Sequence, residues 1–257
     1  SLVSPLLSLG GWLNVLSVIQ ILAQIIVLKG RCNYAEIAVQ TVLALPMDRL
    51  DELHMAEEIK EKWKNRILRE NAKYYQVACL QNELHGLFVS RGIEYVILKG
   101  MAAACYYPKP EYRMFGDIDL LVGKDQYEEA LKLLAENGYS REGETYKHAN
   151  LKKYGVDIEL HRRVSNDETA EEYPSQINSV DAYIMEGFSD IRQVCTDECT
   201  FNLLPRKQNG MVLLQHMKNH LRTRGLGLRQ IVDWMMYVDR ELDDETWTNE
   251  FQPAAQQ

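Results

Sequence analysis

The hydrophobic period of the chain changes abruptly between Ser90 and Tyr95, which confines it to folds in which a helical part precedes a mixed α and β part. Before the change, Leu50, Leu53, Ile59, Trp63, Ile67, Leu68, Tyr75, Leu80, Leu84, Leu87 and Phe88 recur at helical steps among charged residues. The spacing predicts a helix over 48–90, opened by Pro46 and stopped by Gly92. After it, Tyr95-Val96-Ile97-Leu98 is short, apolar and partly β-branched, the pattern of a buried strand ending at Lys99-Gly100. A short Ala-rich helix over 101–107 follows, ended by Pro108 and Pro110. A second strand is expected over 117–122, and an amphipathic helix over 124–137 stopped by Gly138. Residues 146–151 and 156–161 flank Lys152-Lys153-Tyr154-Gly155 and suggest a hairpin, and 191–194 with 200–204 suggest another. Helices over 207–221 and 228–242, separated by Gly225-Leu226-Gly227, close the chain. The expected architecture is α+β: a small mixed sheet with flanking helices, an N-terminal helical lobe over 1–92, a core over 93–205 and a C-terminal helical region over 206–257.

Composition narrows the partners. At 257 residues and 46% hydrophobic, the chain can bury a sizeable core. Its 37 acidic residues against 29 basic ones leave a formal charge of −8, so a general electrostatic grip on nucleic acid is not expected and a small or neutral partner fits better. Cys32, Cys79, Cys105, Cys195 and Cys199 are scattered, with no CxxC pair, which argues against a disulfide framework or a zinc ribbon and for a reducing, cytoplasmic setting. Residues 1–28 carry no charge and are long enough to span a membrane. The polar edge of Ser4, Ser8, Asn14, Ser17, Gln20 and Gln24, the breaks at Pro5 and Gly10-Gly11, and the lack of a preceding basic run favour a soluble helical lobe over a membrane anchor.

The sharpest chemical feature is Asp117-Ile118-Asp119. Strand alternation puts both carboxylates on one face, about 6.5–7 Å apart at Cα, while Ile118, Leu120 and Val122 point to the core. Paired hard oxygen donors of this kind suit a divalent cation bridged to phosphates. A two-metal site usually calls for a third carboxylate, and the next strand offers Asp157, Glu159 and His161 on one face, with Glu159 best held between Ile158 and Leu160. Upstream, Gly100 turns the chain into the Met101 helix, whose first backbone N–H groups can receive phosphate oxygens. A haloacid-dehalogenase reading of the same aspartates is poorer, because Leu120-Leu121 follows where small residues and a hydroxyl are needed. Mutual repulsion among the carboxylates predicts that Asp119→Asn slightly stabilises the metal-free chain.

Leu98-Lys99-Gly100, Tyr107-Pro108, Arg113, Gly116-Asp117-Ile118-Asp119-Leu120-Leu121-Val122 and Ile158-Glu159-Leu160-His161 together resemble a family of largely uncharacterised bacterial nucleotidyltransferases in the polymerase-beta-like superfamily. Leu213-Leu214, His216, His220, Leu228-Arg229 and Asp233 are similar to that family's helical end, so the resemblance runs from about residue 84 to 240. It implies transfer of a nucleoside monophosphate from NTP to an acceptor with Mg²⁺ or Mn²⁺, the metals held by Asp117, Asp119 and Glu159. Glu159 would also help activate the acceptor hydroxyl, and Lys99, Gly100, Met101 and Arg113 would serve the triphosphate. One departure stands out: Met101 occupies the place where the superfamily carries Gly or Ser. The alternative is a catalytically lapsed member that binds nucleotide or regulates a partner.

His216 and His220 share a helix face, but Gln215 breaks the zinc-protease pattern, so they are expected at the border of the core or lining the cleft opposite the sheet. Arg229 and Asp233 are expected to form a helix-surface pair. Parity does not decide whether His148 faces the site.

Overall fold

The computed structural model describes residues 56–165, 179–223 and 225–255. The question posed by residues 1–28 and the helix expected over 48–55 lie outside these residues. No helix among the described residues is long and apolar enough to cross a membrane.

The first described helix, α1 (Glu57–Arg91), ends where expected: Gly92 takes the left-handed conformation (φ 66°), and the Ile93 N–H donates to the Phe88 carbonyl at 3.0 Å. The chain then enters β1 (Tyr95–Ile97). Helix α2 (Met101–Ala104) is shorter than the expected 101–107, because the prolines at 108 and 110 divert the chain into a 3-10 turn over Pro110–Tyr112. Strand β2 (Ile118–Val122) and helix α3 (Tyr127–Glu136) follow. The structure adds β3 (Ser140–Glu144), a strand beyond those expected. Its Ser-Arg-Glu-Gly-Glu is mostly exposed at a sheet edge and so lacks apolar alternation.

Strands β4 (His148–Lys153) and β5 (Val156–His161) form the first expected hairpin. It turns at Tyr154 and Gly155, both at positive φ (52° and 77°), the two-residue turn whose twist suits paired strands. The sheet runs β1-β2-β5-β4-β3, antiparallel except for the parallel pair β2 and β5. Helix α4 (Ser179–Glu186) precedes the second hairpin, β6 (Arg192–Cys195) with β7 (Thr200–Leu203). Helices α5 (Arg206–Thr223) and α6 (Leu228–Glu241) match the two expected near the end of the chain.

The sheet separates two apolar environments by strand parity. Ile97, Ile118, Leu120, Ile158 and Leu160 join the main core with α1 and α3. Val96, Leu98 and Leu121 point the other way and pack with Val164, Ile184, Leu204 and Val212. A third cluster joins Trp63 and Ile67 of α1 to Leu213 of α5 and to Val232, Met236 and Tyr237 of α6. Asp119 thus lies on the face away from the main core, in the same parity as Leu121.

Candidate active site

The parallel pairing of β2 and β5 sets Asp119 beside Glu159 and Leu121 beside His161. Asp117, one residue before β2, shares the parity of Asp119. One carboxylate oxygen from each of Asp117, Asp119 and Glu159 lies within 4.8 Å of the others. The hairpin brings His148 opposite His161, and the ligand atoms of His148, Glu159 and His161 form a second cluster within the same 4.8 Å span. Sequence reasoning left His148 undecided and gave His161 no role.

The chain offsets much of the negative charge itself. The Leu98 N–H donates to the Asp119 carbonyl at 3.0 Å, which anchors the end of β1 against β2, and Lys99 then reaches Asp119 Oδ1 at 2.6 Å. Burial opposes the ammonium of Lys99, but Asp119, Asp117 and Glu159 overcome it and raise its pKa. Asp119, only 1% exposed, faces the same contest: burial favours the neutral acid, while Lys99 and His161 together hold it well below the usual carboxylate range. Asp117 moves the other way, raised by burial and by Asp119 with only partial relief from Lys99. Lys147, just before β4, is lowered by burial and by Lys99 against the pull of Asp119 and Glu159, so its charge bears on the same site.

Gly100 sits at φ 58° and ψ −112°, a conformation that residues with a Cβ rarely adopt. A Cβ there would meet ordinary contacts, the nearest being the Asp117 carbonyl at 3.6 Å, so the requirement for glycine is conformational. Gly100→Val is therefore expected to destabilise the fold by about 1–3 kcal/mol, read as a lower midpoint in urea unfolding. The Met101 side chain is buried in the main core, which leaves its backbone amide as the part that can face a ligand.

Arg113 is hydrogen-bonded to Asp233 rather than to the carboxylate cluster, although Asp117 is near enough to help raise its pKa. Its Nε and Nη2 donate to the two oxygens of Asp233, each at 2.9 Å, and Tyr107 donates to Asp233 Oδ1 at 2.8 Å. This overturns the helix-surface pair expected of Arg229 and Asp233. The inward face of α6 buries Asp233, whereas Arg229 donates to the Met114 carbonyl at 3.4 Å. Spacing of i and i+4 sets which residues share a face, but not whether that face meets water.

His216 and His220 stack edge to face at 4.5 Å on α5. His216 is half-buried, and burial first, then the positive charges of Lys99 and His220, push its pKa down to about 2. His216 follows Val212 by one turn and so shares the face of α5 that packs on the sheet, within electrostatic reach of Lys99 and Asp119. A histidine lowered on folding stabilises the native state fully above its unfolded pKa of about 6.5, and that contribution is lost as pH falls toward 2. From pH 6.5 to 5, chemical denaturation should show wild type losing up to about 1.4 kcal/mol per pH unit relative to His216→Gln.

The family described as "Uncharacterised nucleotidyltransferase" matches residues 31–257. Comparison with curated protein sequences gives no match. Among solved structures, an antigenic nucleotidyltransferase-like protein from Paracoccidioides brasiliensis aligns at 16% identity and TM-score 0.44, covering 70% of this chain and 85% of that one. The antibiotic-resistance factor ANT(2'')-Ia aligns at 11% identity and TM-score 0.47, covering 64% and 83%. The lincosamide antibiotic adenylyltransferase LnuA aligns at 15% identity and TM-score 0.41, covering 60% and 92%. Because the family match spans most of the sequence, the chain belongs to the uncharacterised nucleotidyltransferase family.

Proposed function

We propose that this chain moves a nucleoside monophosphate from NTP to a hydroxyl of a small-molecule, peptide or protein acceptor. The observation that carries the reading is the convergence of Asp117, Asp119 and Glu159 through the parallel register of β2 and β5, in a chain of this family. The donor set fits a divalent ion, since hard carboxylate oxygens from three residues share one small volume. Mg²⁺ or Mn²⁺ held there would supply Lewis acidity at the transferred phosphoryl group.

The chain's own groups account for the rest. The acceptor oxygen bonds to the α-phosphorus as the bond to the pyrophosphate oxygen breaks. Glu159 takes the hydroxyl proton at Oε1, because His161 occupies Oε2 at 3.1 Å. Lys99 leaves Asp119 for the triphosphate, where the amides of Gly100 and Met101 also bind. Arg113, its fork committed to Asp233, contributes positive charge near Asp117 rather than a contact. The charge of −8 favours a small acceptor over a polynucleotide.

Calorimetric titration of the full chain with each NTP in Mg²⁺ or Mn²⁺, paired with pyrophosphate release, tests the reading. Binding that depends on the metal, with pyrophosphate released, supports it; no binding of any NTP overturns it. A second reading is a lapsed transferase that retains nucleotide binding. It is favoured by Lys99 and His161 both engaging Asp119 Oδ1, which satisfies that acid without an ion. Binding without pyrophosphate release or transfer of an α-phosphate label would select it.

A further inference from the structure

We propose that His148, Glu159 and His161 form a second metal site beside the three carboxylates, one that takes a divalent transition ion of the zinc type in preference to Mg²⁺. The inference goes beyond nucleotide transfer, and the site can exist whether or not the chain catalyses it.

His161 supplies the first argument. Its Nδ1 lies 3.2 Å from the Arg163 carbonyl, and since a carbonyl only accepts, Nδ1 carries the hydrogen. A neutral His161 then directs its Nε2 lone pair at Glu159 Oε2 and Asp119 Oδ1, both 3.1 Å away. Three acceptors facing one another need a cation among them, either a proton or a metal. A ring N–H held by a carbonyl is also the usual support for a metal-ligating imidazole, because it fixes the tautomer and aims the other nitrogen.

His148 supplies the second. Its Nδ1 is buried without a hydrogen-bond partner, 3.8 Å from Glu159 Oε2, and its ring packs against His161 at 4.8 Å between centroids. A buried imidazole nitrogen without a partner, aimed at a carboxylate, is costly unless something binds it. Bonds of about 2.0–2.2 Å in a tetrahedron place ligand atoms about 3.3–3.6 Å apart. The observed 3.1 and 3.8 Å bracket that spacing. The backbone fixes the arrangement: His148 pairs with His161 across the hairpin, and Glu159 lies two residues before His161 on the same face.

Donor chemistry sets the preference. Two imidazoles and one carboxylate suit zinc and its first-row neighbours, whereas Mg²⁺ prefers oxygen ligands and gives up its water reluctantly. The two clusters share only Glu159, so His148 belongs to the nitrogen site alone and Asp117 to the carboxylate site alone.

That division gives the experiment. The full chain, stripped of metal and held in excess Mg²⁺, is titrated with Zn²⁺ by calorimetry, and zinc-edge X-ray absorption reports the ligands. Zn²⁺ should bind with imidazole scattering, weaken at least tenfold in His148→Phe and in His148→Gln, stay within twofold in Asp117→Asn, and weaken in Glu159→Gln. Two His148 substitutions guard against one that misfolds, which a melting curve identifies. Zn²⁺ held at Cys79, Cys195 or the His216 and His220 pair would survive both His148 changes and overturn the proposal. Equal loss in Asp117→Asn, or scattering from oxygen alone, would also overturn it. Failure of nucleotide transfer leaves these readouts untouched, and their failure leaves transfer untouched.

Discussion

Asp233→Ala should cost about 3–5 kcal/mol of folding stability, the largest effect expected of any single substitution in the C-terminal helices. The Arg113 and Asp233 side chains are only 6% and 5% exposed, and the carboxylate accepts both forks of the guanidinium and the Tyr107 hydroxyl. Alanine leaves a charged guanidinium and a hydroxyl buried without their acceptor, and the desolvation cost of those groups is then uncompensated. For a chain of this size the melting temperature should fall by roughly 10 °C. Asp233→Asn should cost less, since the amide oxygen still accepts one of the donors. Lys132→Ala, at an exposed pair 4.0 Å apart within α3, should shift stability by less than about 0.5 kcal/mol. A loss below about 1 kcal/mol for Asp233→Ala would mean that α6 is not anchored to the sheet domain through this pair.

The contrast between Asp233 and Asp119 marks how far the sequence could be read. Asp117, Asp119 and Glu159 were legible because strand alternation is a property of neighbours along the chain: parity alone put the aspartates on the face opposite Ile118 and Leu120. Their convergence needed one long-range fact, the parallel register of β2 and β5, which alternation within each strand does not supply. His148 was within reach. Reading Tyr154 and Gly155 as a two-residue turn, rather than taking Lys152 to Gly155 as the break, fixes the register and pairs residue 148 with 161. Arg113 was beyond reach because its partner lies 120 residues away: helical spacing puts Asp233 on the face of Val232, Met236 and Tyr237, but does not say which distant side chain that face meets. Strand β3 was invisible for a different reason: an exposed edge strand of charged residues carries almost none of the apolar alternation that marks strands.

Asp119→Asn and Asp117→Asn should both abolish nucleotide transfer, by at least about 10³-fold if each carboxylate supports the charge developing on the phosphoryl group, yet move metal-free stability in opposite directions. Repulsion alone argues that either change relieves the cluster. The contacts say otherwise for Asp119, whose Oδ1 lies 2.6 Å from Lys99 Nζ and 3.1 Å from His161 Nε2. Asparagine there removes a carboxylate held well below its ordinary pKa, which stabilises the fold above the unfolded value of about 3.9 and ceases to do so as pH falls toward the folded one. The expected loss at neutral pH is about 1–3 kcal/mol, and it should shrink in acid. Asp117 is raised, so its charged form weakens the fold at neutral pH, and asparagine removes that cost. Asp117→Asn should therefore leave stability unchanged or raise it by up to about 1 kcal/mol. Urea unfolding of both variants at about pH 7 and about pH 3, below the unfolded carboxyl pKa, without divalent metal, separates the cases. If both gain stability, repulsion dominates the site and Lys99 is not the internal counter-ion of Asp119; if both lose it, Asp117 is held by a partner as Asp119 is.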